Sequence, residues 1–235
     1  MKILQHGGQS IVNFDYSMAE GVKKSFVTHY RENLRKAIKF KTGIAISKAD
    51  MKDVLRTIKE EYKLQPTLEV NERYKEIELE KLTNRFNLDA VTVNESQSLA
   101  QTEAYNDTDR ETFQAMEAFI HNLNTMHSRA GAQVPFSSIN YGMDVSQEAR
   151  MAIKNILLTT EKGLGNGETP IFPIQIFREK NGISANPGDP NYDLFQLAIR
   201  CSAKRLFPKL IGAICSNAYR KPCEPRNLGC GQLAC

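Results

Sequence analysis

The sequence predicts an α/β fold with a helix-rich N-terminal half. Three observations carry this. Apolar residues recur at helical spacing through most of the first 125 positions. One segment, IFPIQIF from Ile171, is apolar at nearly every position, as in a strand buried on both faces. From Phe136 to Pro208 the pattern alternates strand, helix, strand, helix, which is the rhythm of a βα fold.

The elements follow in chain order. LQHGGQSIVNFDYSMAEG is glycine-rich and polar and reads as a loop and turn leading into a helix near Met18. Such a start reads as an internal point of a longer fold. Val22, Phe26, Tyr30, Leu34 and Ile38 form one helical stripe. Between them stand Lys23, Lys24, Arg31, Arg35, Lys36, Lys39 and Lys41, either the solvated face of that helix or a surface that attracts polyphosphate. Two further stripes, Val54, Leu55, Ile58, Tyr62 and Ile77, Leu79, Leu82, Phe86, are separated by Pro66. Thr108 and Glu111 have capping-box spacing, which predicts a new helix start followed by Phe113, Met116, Ile120 and Leu123 on one face. His121 and His127 near its end read as partners of the helix dipole.

HSRAGAQVPFSSINYG is a small-residue loop and then a strand. A helix from about Ser146 to Glu161 turns Ile153, Ile156 and Leu157 inward. Gly163, Gly165 and Gly167 form either a phosphate-binding loop or a helix C-cap with a turn. Asp189 as N-cap and Pro190 as first helical residue open a last helix, which Pro208 ends.

The chain has 235 residues, 41% apolar and 25% charged, which excludes a disordered tail, a collagen-like chain and a coiled-coil rod. Its longest apolar run, Leu210 to Cys215, is too short to cross a bilayer. With no charged-then-apolar leader in the sequence, the expectation is cytoplasmic. A net charge of +4 is too weak to argue for nucleic acid. The five cysteines, Cys201, Cys215, Cys223, Cys230 and Cys235, are odd in number and contain no C-x-x-C pair. That argues against a disulfide framework and a structural zinc site, and no metal ligand set stands out. Cys201 reads as a packed helix residue. Ser128, Arg129, Gly131 and Gln133 form a pliable loop able to adapt to a nucleobase. Ser137, Ser138 and Asn140 are polar residues in a strand that otherwise wants burial, either partly exposed or lining a wet pocket.

Four segments, HGGQSIVNFDYSMAEGV, MHSRAGAQVPFSSINYG, GLGNGETPIFPIQIF and NPGDPNYDLFQLAIRCSAKRLFP, together resemble the anaerobic, class III ribonucleoside-triphosphate reductases. The resemblance covers about His6 to Pro208. It implies part of a ten-stranded α/β barrel of the glycyl-radical type, occupying residues 1–208. Within it, about 48–127 would be a helical effector and dimer region and about 128–208 barrel strands and helices. Residues 209–235 would be a divergent or frameshifted tail.

The implied reaction is reduction of ribonucleoside triphosphates to 2′-deoxyribonucleoside triphosphates by a glycyl and thiyl radical, for DNA synthesis. Formate is the reductant, nucleoside triphosphates are allosteric effectors, and an iron–sulfur S-adenosylmethionine activase installs the radical. The family is homodimeric, with a structural zinc in a C-terminal segment that this sequence does not match, and it implies no cofactor bound by this chain, no membrane and no direct nucleic acid. Ser128 to Gln133 would be the specificity loop, with Ser137, Ser138 and Asn140 facing the barrel interior. The nearest approach to the finger-loop cysteine is Cys230 in LGCGQ, which lacks the usual arginine. The expectation is therefore a chain inactive unless completed by other segments. The alternatives are a non-catalytic nucleotide-binding or dimerisation module, and a different glycyl-radical enzyme such as an acyl-transferring lyase.

Overall fold

A computed structural model describes residues 8–125, 134 and 136–212. Helices α1 (Phe14–Thr42), α2 (Lys48–Tyr62), α3 (Glu72–Phe86) and α4 (Ala90–Thr125) follow a first strand, β1 (Gly8–Ile11). Then come β2 (Phe136–Tyr141), α5 (Gln147–Lys162), β3 (Ile174–Glu179), α6 (Tyr192–Arg205) and β4 (Lys209–Gly212). The chain divides into a helical unit, Ser17–Met116 with Ser146–Asn155, and a sheet unit formed by the rest.

In the helical unit, Val22, Phe26, Tyr30, Leu34 and Ile38 of α1 are all buried, as their spacing predicts. Ser47 caps α2 by accepting from the Asp50 amide at 3.0 Å, and Met51, Val54, Leu55 and Ile58 are buried. Tyr62, expected on the same stripe, is 42% exposed. Asn71 caps α3 by accepting from the Tyr74 amide at 3.1 Å. Its buried face is Tyr74, Glu78 and Leu82; of the predicted Ile77, Leu79, Leu82 and Phe86, Leu82 is buried and the other three are half-buried. The face turns because Glu78 has a fully buried set of donors. Its carboxylate accepts from Tyr30 Oη at 2.6 Å, Tyr74 Oη at 2.7 Å and Gln97 Nε2 at 2.8 Å.

The break expected at Thr108 is absent. Asp89 accepts from the Thr92 amide at 3.1 Å near the start of α4, which then runs 36 residues. Thr108 is fully buried in its middle and donates back to the Ala104 carbonyl at 2.6 Å. Val93, Gln97, Ala100, Ala104, Thr108, Met116 and Ile120 keep one buried face through the polar Asn106–Asp109 stretch, so nothing interrupts the helix.

In the sheet unit all pairings are parallel and the strand order is β1-β2-β3-β4. β1 is a strand where the sequence predicts a loop, and α1 begins at Phe14 rather than near Met18. A four-residue segment of this composition has little strand preference of its own; pairing of Gly8 with Phe136 and Ile11 with Ile139 imposes the conformation. β3 starts at Ile174 and is buried on one face only. Gln175 and Phe177 are buried while Ile174 and Ile176 are half-buried. The predicted cap of α6 is also corrected. Asp189 accepts from the Asn186 amide at 2.9 Å instead, and the helix starts at Tyr192 after Asn191. Its end falls at Leu206, just before Pro208. The boundary at Pro208 falls four residues short of the sheet's end, because Lys209–Gly212 form β4 against β3.

Candidate functional site

Alternation along the strands sorts the sheet into two faces. On one, Ile139, Tyr141, Gln175 and Phe177 turn toward α5 and α6. Phe177 lies 6.0 Å from the Phe195 ring of α6. Tyr141 Oη donates to Gln175 Oε1 at 2.7 Å, Gln175 Nε2 donates to Thr160 Oγ1 at 2.7 Å, and Thr160 donates to the Ile156 carbonyl. Burial pushes the Tyr141 hydroxyl well above its ordinary range.

The other face holds a concavity of about 580 Å³ lined by Gly8, Ser10, Phe136, Ser138, Ile174 and Ile176 with Lys209 and Ile211. Registry sets Ser10, Ser138 and Ile174 in one cross-strand row, and Asn140, Ile176 and Lys209 in the next. The β1–β2 side is therefore hydroxyl-bearing and the β3–β4 side apolar, with one lysine at its edge. Phe136, 61% exposed, stacks edge-on against Phe172 at 4.9 Å. The Phe172 loop is fixed by Asn124, whose Oδ1 accepts from the Ile171 and Phe172 amides and whose Nδ2 donates to the Phe172 carbonyl at 2.6 Å. Arg178, further along the strand, donates to Asn13 Oδ1 at 2.9 Å.

The loop after β2 is held by a buried carboxylate. Asp15 Oδ2 accepts from the amides of Gly142, Met143 and Asp144 at 2.9, 2.9 and 3.1 Å. Gly142 has φ +113°, and a Cβ there would stand 2.7 Å from the Arg178 carbonyl, so only glycine fits. Asn191 closes the other side, donating to the Asp144 carbonyl at 2.9 Å. Asp15 thus ties the start of α1 to the loop after β2, at the ends of two neighbouring strands.

Of the predicted site residues, Ser138 lines the concavity and Asn140 shares its face one row on. Ser137 borders the cavity but alternates to the helix side with Ile139, so the three do not point one way. Ser137 Oγ and Asn140 Oδ1 are both buried without a hydrogen-bond partner. Ser128, Arg129, Gly131, Gln133 and Cys230 lie outside the described residues. So do His127, Cys215, Cys223 and Cys235.

The glycine loop is a cap and turn. The Gly163 amide donates to the Thr159 carbonyl, Leu164 to Glu168, and Gly167 to Leu164. Arg205 clamps the loop, donating to the carbonyls of Glu161, Lys162 and Gly167 at 3.0, 2.9 and 2.7 Å. Those amides are engaged within the protein and cannot cradle a phosphate. Cys201 is fully buried, with Sγ 3.6 Å from the Leu157 carbonyl; burial, then the Glu161 charge, push its thiol up to about 11. Among the described residues no cluster of three His, Cys, Asp or Glu could hold a metal, and no helix is long and apolar enough to cross a membrane.

Sequence reasoning misses Asp15, Gln175, Arg178 and Lys209. The first two had a faint signal, a carboxylate two residues after a small polar turn and an amide inside an apolar run. Arg178 and Lys209 carry none.

The family model for anaerobic ribonucleoside-triphosphate reductase matches residues 2–233, running past Pro208 into the segment set apart above as divergent. The anaerobic ribonucleoside-triphosphate reductase of Enterobacteria phage T4 is 39% identical over 111 residues, 47% of this chain and 18% of the phage protein. The protein of the same name from Haemophilus influenzae is 38% identical over 104 residues, 44% of this chain and 15% of the relative. That of Salmonella typhimurium is 34% identical over 133 residues, 55% of this chain and 18% of the relative. The chain spans less than a fifth of the length of the curated relatives it matches. With a family match over nearly its whole length, the chain belongs to the anaerobic ribonucleoside-triphosphate reductases, a family of oxidoreductases.

Proposed function

We propose that this chain is part of an enzyme that reduces ribonucleoside triphosphates to 2′-deoxyribonucleoside triphosphates under anaerobic conditions. The observation that supports it best is the two-sided open face of the parallel sheet, in a chain whose relatives carry that name. In this reading β1 to β4 are consecutive staves of a ten-stranded barrel, and their open face is part of its interior. Ser10 and Ser138 supply hydroxyls for a ribose or phosphate oxygen, and Lys209 offsets phosphate charge. Ile174, Ile176 and Ile211 keep water from the sugar. Asp15 and Asn124 hold the loops that border this face.

The chemistry supplied by the radical-bearing segments is hydrogen-atom abstraction from the ribose, with formate as reductant. Cys201 does not fit the thiyl role, being buried in α6 and hydrogen-bonded to the Leu157 carbonyl. Residues 128–133 are the specificity loop, and the helical region about 48–127 serves effector binding and dimerisation.

The test is a ribonucleoside-triphosphate titration of the chain assembled with complementing segments of a family member. An anaerobic assay for 2′-deoxynucleotide follows. Ser138→Val weakens binding roughly tenfold, the value of one hydrogen bond to a charged group, while helical content stays constant. Equal binding by the variant refutes the role of this face. Binding without product in every assembly favours a non-catalytic nucleotide-binding module.

A further inference from the structure

We propose that Arg178 is a docking residue for a carboxylate side chain: an aspartate or glutamate, on a segment that closes over the open face of the sheet, seats its carboxylate on the Arg178 guanidinium. This rests on the reading of the chain as part of a longer protein, not on the reaction assigned to it. Arg178 alternates with Ile174 and Ile176 along β3 and pairs in register with Ile211 of β4. Those three isoleucines line the concavity, so Arg178 shares their face.

The guanidinium is incompletely partnered. β2 lies between β3 and β1, and the side chain reaches past the end of β2 to give Nη2 to Asn13 Oδ1 at 2.9 Å. Among the described residues that is its one hydrogen bond, and no acid is paired with it. Nε is buried without an acceptor. A buried guanidinium N–H without an acceptor is unfavourable, and a carboxylate supplies one in the geometry of the planar fork. An arginine that only covers apolar surface with its stem keeps its head in water. The buried Nε does not fit that description.

The surroundings select the kind of anion. Burial, then the charges of Asp144 and Asp15, lift the Tyr16 hydroxyl above its usual value, while Arg178 lowers it. Tyr16 is therefore a neutral O–H donor within the field of the guanidinium. Asp15 cannot serve Arg178 itself, because its oxygens accept from the amides of Tyr16, Gly142, Met143 and Asp144. Two acids so near oppose a dianionic phosphate more than a monoanion. One guanidinium edge and one hydroxyl match the two oxygens of a carboxylate. Lys209, paired with Ile176, adds a second cation to the same face, and no carboxylate lines the concavity. An acid-bearing segment therefore complements this face in charge. Apolar Ile176 and Ile211 beside Arg178 strengthen the attraction once water is excluded.

The experiment has two arms. In the first, the full chain is titrated with acetate as a carboxylate probe, at ionic strength held constant with chloride. Nuclear magnetic resonance follows the Arg178 Nε–H and the backbone amides of residues 178 and 211. The expected result is a saturable shift with acetate, weakened about tenfold by Arg178→Lys, which keeps the charge and loses the fork. The exposed, charge-matched control Lys180→Met weakens it less than about twofold. No acetate response in a sample of normal helical content overturns the site. An equal response to inorganic phosphate, or equal weakening by Arg178→Lys and Lys180→Met, overturns the carboxylate assignment. In the second arm the chain is assembled with complementing segments of a family member. Arg178→Glu should weaken that association by about tenfold or more and Arg178→Lys by less, and acetate should no longer shift Nε–H once the site is filled. Unchanged association with Arg178→Glu overturns the docking role. So does an undiminished acetate response in the assembly, which identifies a free small carboxylate as the occupant. An assembly that passes both arms and yields no 2′-deoxynucleotide removes the reductase reading and leaves this one standing.

Discussion

Replacing Glu78 by leucine removes the acceptor of two buried tyrosine hydroxyls. Tyr30 Oη and Tyr74 Oη lose bonds of 2.6 and 2.7 Å, while Gln97 Nε2 keeps its contact with the Lys75 carbonyl at 3.1 Å. Each buried hydroxyl left unsatisfied costs ~1–3 kcal/mol, and relief from burying the carboxylate offsets part of it, giving a net loss of about 3 kcal/mol. At roughly 2–4 °C per kcal/mol for a chain of this length, the midpoint of unfolding falls by roughly 6–12 °C. Glu78→Gln keeps one acceptor oxygen, and its new amide faces a neighbourhood in which Gln97 Oε1 is already unpartnered. Its expected cost is under ~1 kcal/mol.

The two variants also separate in pH. Burial lifts the Glu78 carboxyl above its ordinary value of 4.5, opposed by the three hydrogen bonds and by Lys75. The folded state then holds the proton more tightly than the unfolded chain. Its contribution is full below 4.5 and is lost as pH rises through the folded value. Urea unfolding followed by far-ultraviolet circular dichroism should show wild type losing stability against Glu78→Gln over that rise, and a flat difference above it. A leucine variant as stable as wild type, or a glutamine variant that loses as much as leucine, refutes the reasoning.

Asp15→Ala strips an acceptor from three consecutive amides and costs roughly 3 kcal/mol; hydrogen exchange at residues 142–144 should quicken, and unchanged protection there would count against the anchor. Arg205→Met frees two carbonyls at the end of α5 and one in the loop after it, and costs about 1–2 kcal/mol, with limited proteolysis moving to residues 163–169. Cys201, held near 11, stays unalkylated by iodoacetamide at pH 8 until the protein unfolds; modification at the rate of a free thiol would show that the packing around α6 is wrong.

What could be read from the sequence was what is local. The stripe Val22–Ile38 and the Ile153, Ile156, Leu157 set fixed α1 and α5 because their spacing repeats within one element. Thr108 misled because its spacing to Glu111 imitates a capping box, while the evidence against a break is a pair of small residues, Ala100 and Ala104, whose burial continues one helical face up to Thr108. The buried face of α3 was hidden for a related reason. Glu78 is held by Tyr30, 48 positions earlier, and Gln97, 19 later, and no periodicity records such partners. IFPIQIF announced a strand but not that one face would be open. Ser138 was legible as a polar residue in an apolar strand, whereas Lys209 became part of that surface only through pairing of β4.

The four-residue β1 also governs the order in which this chain can assemble. Gly8 must find Phe136, while Ser138 needs only Ile174 and Ile176 only Lys209. Closing the longer span from a flexible chain costs about 1 kcal/mol more than either short one. The helices between those partners shrink that span once they have formed. Strands β2 to β4 can zip together early, while β1 waits on the folding of everything inserted before its neighbour. Damage to the interior of the helical unit is therefore expected to slow sheet completion, although it touches no strand.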